Sequence, residues 1–137
     1  MDMLSLFPQL LDFGMFGPFF LRIGLALIFI AHGYPKIFSS TGFHGIVKFF
    51  ESINIKPAKF WVLVVGVVEF FGGILLFVGL FTQLVALLLA IDMLVAILKV
   101  NFKKGLIGGY EFELILLLSA LALIVLGPGA FSLDLPL

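Results

Sequence analysis

Four long apolar runs separated by short polar stretches set the pattern of this chain. They fall near residues 15–38, 58–80, 83–100 and 109–126, each close to the ~20 residues that a helix needs to cross a bilayer. The runs are solidly apolar and do not alternate as the strands of a membrane barrel would. Hydrocarbon offers no partners for backbone polar groups, so each run is predicted to be a helix. The expected fold is an all-α membrane protein: one domain over residues 1–137, built as a bundle of four transmembrane helices. The opening stretch MDMLSLFPQLLDFGMFG is amphipathic, with Pro8 and Gly14 as breakers, and predicts a short N-terminal interfacial segment. Between the first two runs lies SSTGFHGIVKFFESINIKP, in which GIVKFFESI predicts a short surface helix. Phe81-Thr82 predicts a tight hairpin between runs two and three. NFKKGLIG joins runs three and four, and Gly127-Pro128 ends the last helix.

Composition agrees with this reading. Of 137 residues, 63% are hydrophobic and 12% charged, against roughly half and a quarter in a soluble domain. Mean hydropathy is +1.31. The chain has no cysteine, which removes thiol catalysis and iron–sulfur ligation. Its formal net charge is zero, so no basic patch points to nucleic acid. Asp2 and Asp12 stand where a cleaved signal would be basic, so the first run is read as a retained membrane helix. Lys36, Lys48, Lys56, Lys59, Lys99, Lys103 and Lys104 all fall on the side of the two longer connections. The positive-inside rule then predicts a multi-pass protein of a prokaryotic cytoplasmic membrane, with both termini outside.

The candidate chemistry lies in ionisable residues inside the apolar runs. Glu69 stands at the centre of FWVLVVGVVEFFGGILLFVGL, where a carboxylate costs roughly 2.5–3.5 kcal/mol on insertion scales. Gly66, Glu69 and Gly73 share a helical stripe, which leaves room for another helix or a ligand against the carboxyl. Arg22, Ala26, Phe29, Gly33 and Lys36 form one stripe on the first run, with His32 on its flank. Arg22 and Lys36 are about 21 Å apart along the axis and mark opposite ends of that face. Asp92, Ala96 and Lys99 share a stripe on the third run. Glu111 and Glu113 point about 200° apart on the fourth, with Glu113 aligned on Ala120 and Gly127. Two readings stay open: Arg22 pairs with Glu69 or Asp92 to hold the bundle together, or the buried acids handle protons. No metal site is predicted, and haem is disfavoured because only His32 and His44 are on offer.

In order along the chain, these residues resemble the DoxX family of small four-span membrane proteins. The points of match are Leu21-Arg22, His32-Gly33-x-x-Lys36, Glu69-x-x-Gly72-Gly73, Gly79-Leu80-x-Thr82, Met93-x-x-Ala96, Gly108-Gly109-Tyr110-Glu111 and Gly127-Pro128-Gly129-x-x-Ser132-x-Asp134. The resemblance implies a four-helix membrane fold associated with membrane redox complexes. It selects Arg22, His32, Lys36, Glu69, Glu111 and Asp134 as recurring polar positions. Asp92 and Glu113 depart from that pattern, and Asn101 stands where the family often has histidine.

The function expected from the resemblance and the polar stripes together is that of a membrane subunit of a quinone-linked oxidoreductase. Glu69, Arg22, His32, Lys36 and Glu111 are its candidate catalytic residues. His32 and Lys36 would donate to a quinone, Glu69 and Glu111 would relay protons, and Phe29, Phe70 and Phe71 would wall the ring and tail. Asp92 and Asp134 are read as structural polar residues. The expected partners are the bilayer, a soluble or membrane redox protein and further subunits, as a homo-oligomer or a complex. A proton-coupled small-molecule transporter and a non-catalytic anchor or assembly protein are the alternatives.

Overall fold

The structure is a computed structural model and describes residues 6–134. Four helices are long and apolar enough to span a membrane: Phe16–Phe38, Ala58–Val78, Thr82–Lys104 and Leu106–Leu126. Each lies within a few residues of its predicted run. No strand occurs among the described residues. Part of the predicted interfacial segment, residues 1–5, lies outside the described residues; the rest forms a short 3-10 turn at Pro8–Phe13 with no buried side chain.

Helix α1 (Phe16–Phe38) packs along α3 (Ala58–Val78), and α4 (Thr82–Ala96) packs along α5 (Glu111–Leu126). Lipid tails are as apolar as leucine, so such helices associate by close packing at small residues rather than by escape from water. The α1–α3 seam follows that rule. A Cβ on Gly33 would run into the Phe70 backbone, and one on Gly73 would lie 2.7 Å from Ile30 Cγ1. The inner core joins Ala26 and Phe29 of α1 and Leu76 of α3 to Ala86, Leu89 and Ala90 of α4 and Ala120 and Leu123 of α5. The remaining faces carry exposed Leu, Ile, Val and Phe, as lipid contact requires.

Helix α2 (Ser40–Ser52) is the predicted surface helix, extended toward α1 because Ser39 caps it: the Ser39 hydroxyl accepts from the Gly42 amide at 3.0 Å. Its apolar face seats Val47 against Ala58 and Val62 of α3, with Phe43, Ile46 and Phe50 alongside. At the opposite end, Gly79 takes a left-handed conformation (φ 72°) that closes α3, and the Leu80 amide reaches back to the Leu75 carbonyl at 2.9 Å. The hairpin therefore turns through Gly79–Phe81, and Thr82 already begins α4.

Two irregular stretches complete the frame. Beyond Ala96 the third span widens into a π-wound turn over Ile97–Asn101 and tightens again at Phe102–Lys104. After Leu126 the tail doubles back over the bundle. Its amides at Ala130, Leu133 and Asp134 donate to the carbonyls of Met15 (2.9 Å), Val78 (3.0 Å) and Gly79 (2.8 Å).

Candidate functional site

The polar residues of the spans separate into two groups at opposite ends of α1. At the lysine-rich end, Gly66 leaves space for the stem of Lys36: a Cβ there would sit 2.8 Å from Lys36 Cβ. One turn further along α3, Lys36 Nζ meets Glu69 Oε2 at 2.8 Å, the one ion pair among the described residues. The same ammonium donates to the His32 carbonyl at 3.1 Å, a favourable place for a cation near a helix C-terminus. The Glu69 side chain is only 5% exposed. From α4, the Asp92 carboxyl comes within hydrogen-bonding reach of Glu69 and near enough to Lys36 to feel its charge. Its Oδ2 is buried with no partner.

These groups border a cavity of about 600 Å³ lined by all five helices. Phe29, Trp61, Met93, Phe112 and Leu116 supply apolar wall, and α2 contributes Ile46, Phe49 and Phe50. His32, Lys36, Glu69 and Asp92 line it together with a second polar pair, Asn101 and Glu113. Asn101 Nδ2 donates to Glu113 Oε1 at 2.7 Å, and Glu113 Oε2 is buried without a partner. Asn101 closes the π-wound turn of the third span. Such turns re-aim side chains that a regular helix would point elsewhere.

At the other end, Arg22 is completely buried and all five of its N–H groups have carbonyl partners. Nη1 donates to Leu76 (2.8 Å) and Phe77 (3.0 Å), carbonyls in the last turn of α3. Nε donates to Pro128 (3.0 Å), and Nη2 to Ala130 (2.7 Å) and Phe131 (2.9 Å). A helix C-terminus leaves its last carbonyls unpaired, and one side chain satisfies two of them while clasping the tail. Asp134 finishes the clasp by accepting from the amides of Phe81 (2.6 Å) and Thr82 (2.9 Å) at the start of α4. Burial alone would raise the Asp134 pKa. The neighbouring Thr82 hydroxyl, the Thr82 and Phe81 amides and the Arg22 charge outweigh that and hold it below the ordinary carboxylate value.

Of the candidate residues from the sequence, Glu69, Lys36, His32 and Phe29 meet at the cavity. Arg22 does not, and it pairs with neither Glu69 nor Asp92: backbone carbonyls take all of its donors. Phe70 and Phe71 also fall outside the lining. Each residue turns ~100° around a helix, which carries Phe70 onto Phe38 (ring centroids 5.1 Å apart) and leaves Phe71 47% exposed. Glu111 caps its own helix start by accepting from the Gly108 amide at 3.0 Å. It is Glu113 that turns inward. Asp134 lies on the tail against the start of α4, whereas Asp92 faces the cavity. The α2 aromatics and Trp61 were not singled out from the sequence; the amphipathic pattern of GIVKFFESI was the available signal.

Comparison with known proteins fits this architecture. The DoxX family model matches residues 17–101, a stretch that contains His32, Lys36, Glu69, Asp92 and Asn101. The chain is 35% identical over 118 residues to a Bacillus subtilis (strain 168) protein named "Putative oxidoreductase CatD", covering 86% of this chain and 84% of that one. It is 33% identical to "Inner membrane protein YqjF" of Escherichia coli (strain K12), covering 82% and 85%. A Mycobacterium tuberculosis protein described as an uncharacterized membrane protein is 32% identical, covering 83% and 77%. No solved structure matches significantly. With the family model over most of its length and relatives above 30% identity across most of both chains, this multi-pass membrane protein belongs to the DoxX family.

Proposed function

We propose that the chain is the membrane subunit of a quinone-linked oxidoreductase, with the cavity as its quinone site. The observation that carries this reading is the Lys36–Glu69–Asp92 cluster at the wall of an apolar cavity of about 600 Å³. That volume suits an amphipathic small molecule, since ligand pockets run roughly 300–1,000 Å³ and combine apolar walls with a few polar groups. The word oxidoreductase in the name of the Bacillus relative supports the reaction class.

A bound quinone supplies two-electron, two-proton chemistry. The residues of the chain do the rest. Lys36 and His32 offer donors to a carbonyl oxygen, and Phe29, Phe49, Phe50 and Trp61 exclude water around a ring. Glu69 and Asp92 give or take protons at the same place. In this reading electrons pass between the ligand and a partner protein, soluble or in the membrane. The lysine-rich end, where the cavity lies, faces the cytoplasm in this reading.

Trp61 is the single tryptophan of the chain and lines the cavity, so its fluorescence reports occupancy directly. Titrating a short-chain quinone into protein held in lipid nanodiscs is expected to give saturable quenching. Ala96→Phe, which fills space at the wall, should weaken it at least tenfold. Linear quenching that Ala96→Phe leaves unchanged would mean simple partition into lipid and would end the quinone assignment. Unaltered turnover of Glu69→Gln in a reconstituted active complex would remove the proton role while leaving the binding site standing.

A further inference from the structure

Two acids and a single cation meet at the cavity wall. Glu69 and Asp92 come within hydrogen-bonding reach of each other on neighbouring helices, with one ammonium, Lys36, against Glu69 at 2.8 Å. Two ionised carboxylates this close in a largely buried site would repel strongly, and neither could donate the hydrogen bond that their approach requires. Asp92 Oδ2 is sealed from water and has no donor of its own. The other ionisable groups on the cavity do not mend the imbalance. His32 on α1 and Lys99 in the π-wound turn are exposed, and Glu113 on α5 is held by Asn101. Helix α2 presents Ile46, Phe49 and Phe50 to the cavity and no charge. Arg22 is bound to five carbonyls about 21 Å away along α1.

We propose that Glu69 and Asp92 hold one proton between them at neutral pH, with Lys36 as counter-ion, and that Asp92 is the proton donor of the cavity. The lysine decides which carboxyl carries the charge. It lies on Glu69, so Glu69 is the carboxylate and Asp92 the acid whose O–H bonds to it. Two acids, one cation and one proton make a neutral set, the arrangement that a low-dielectric site favours. When Asp92 gives its proton to a ligand oxygen, the set is left with one negative charge and draws the next proton from the lysine-rich end. As the acid of a quinone site Asp92 rests on the reading above; as a proton store it rests only on these three side chains.

Infrared difference spectroscopy tests this without any quinone. A protonated carboxyl has its own C=O band, which shifts in heavy water, and the number of protons held should equal acids minus cations. Wild-type protein in lipid is expected to show one such band that persists in Glu113→Gln. Asp92→Asn and Glu69→Gln should each abolish it, because the remaining acid then pairs with Lys36. Lys36→Met should double it, and Lys36→Met combined with Asp92→Asn should return it to one. The doubling requires a folded site, so it guards against loss of the band through misfolding. Absence of the band in wild type, its survival in both acid variants, or no gain in Lys36→Met would each overturn the shared proton. Trp61 quenching by quinone would be untouched by that outcome, so the two claims fail separately.

Discussion

Arg22→Lys separates a structural clasp from a catalytic cation. In the wild-type protein the guanidinium satisfies five carbonyls, three of them in the tail. An ammonium has three donors, so at least two carbonyls lose their partner. Each orphaned buried acceptor costs about 1–3 kcal/mol in soluble proteins, while polar contacts in membrane bundles average nearer ~0.6 and reach ~1.7 kcal/mol. Two lost bonds thus cost about 1–6 kcal/mol, and a middle value of about 3 kcal/mol is expected. The assay is hydrogen exchange at Ala130, Leu133 and Asp134, whose amides bond to Met15, Val78 and Gly79. At 1.4 kcal/mol per factor of ten, protection at these amides should fall by about two orders of magnitude, with the α4–α5 core little changed. Quinone quenching of Trp61 should be unaffected. Full tail protection in Arg22→Lys would refute the clasp. Lost quenching with an intact tail would return Arg22 to the functional site.

Glycine substitutions probe the seam that holds Lys36 against Glu69. Gly33→Ala forces a methyl into the Phe70 backbone and should destabilise the protein by about 1–3 kcal/mol in mixed-micelle unfolding. Gly24→Ala meets nothing within 4 Å and should be neutral or stabilise by up to ~1 kcal/mol; equal effects would sink the packing argument. Asp134 makes the tail acid-sensitive. Its folded pKa is depressed, so its contribution is fully present above the unfolded value of about 3.9 and is lost as pH falls through the folded value. Tail protection factors should fall across that acid range in wild type and be low and less pH-dependent in Asp134→Asn. An identical acid profile in the two proteins would show that Asp134 does not tie the tail.

Much of the frame was legible because helical periodicity constrains it. Arg22, Ala26, Phe29 and Gly33 read as one stripe and are all buried; Gly66, Glu69 and Gly73 do the same on α3. The partner of Arg22 was not legible, since backbone carbonyls leave no mark in a side-chain pattern. Their convergence depends on a tail that turns through Gly127 and Gly129 at positive φ. Phe70 and Phe71 could not be sorted from Phe29 by type, because on an all-apolar helix only the neighbours decide which ring faces lipid. Glu111 and Glu113 differ in direction by about 200°, and the register of Glu113 with buried Ala120 already pointed inward. The nearby turn chemistry of Gly108 gave Glu111 its local partner instead. Asp92 was the hardest to read, since its meaning comes from Glu69 on another helix.

The most direct test of the cavity as a quinone site is photolabelling with an azidoquinone in native membranes, followed by peptide mapping. The predicted adducts fall on cavity residues Phe49, Phe50, Trp61 and Met93, and excess unlabelled quinone suppresses them. Adducts scattered over exposed apolar residues such as Phe20, Phe77 and Leu118, insensitive to competing quinone, would contradict the site.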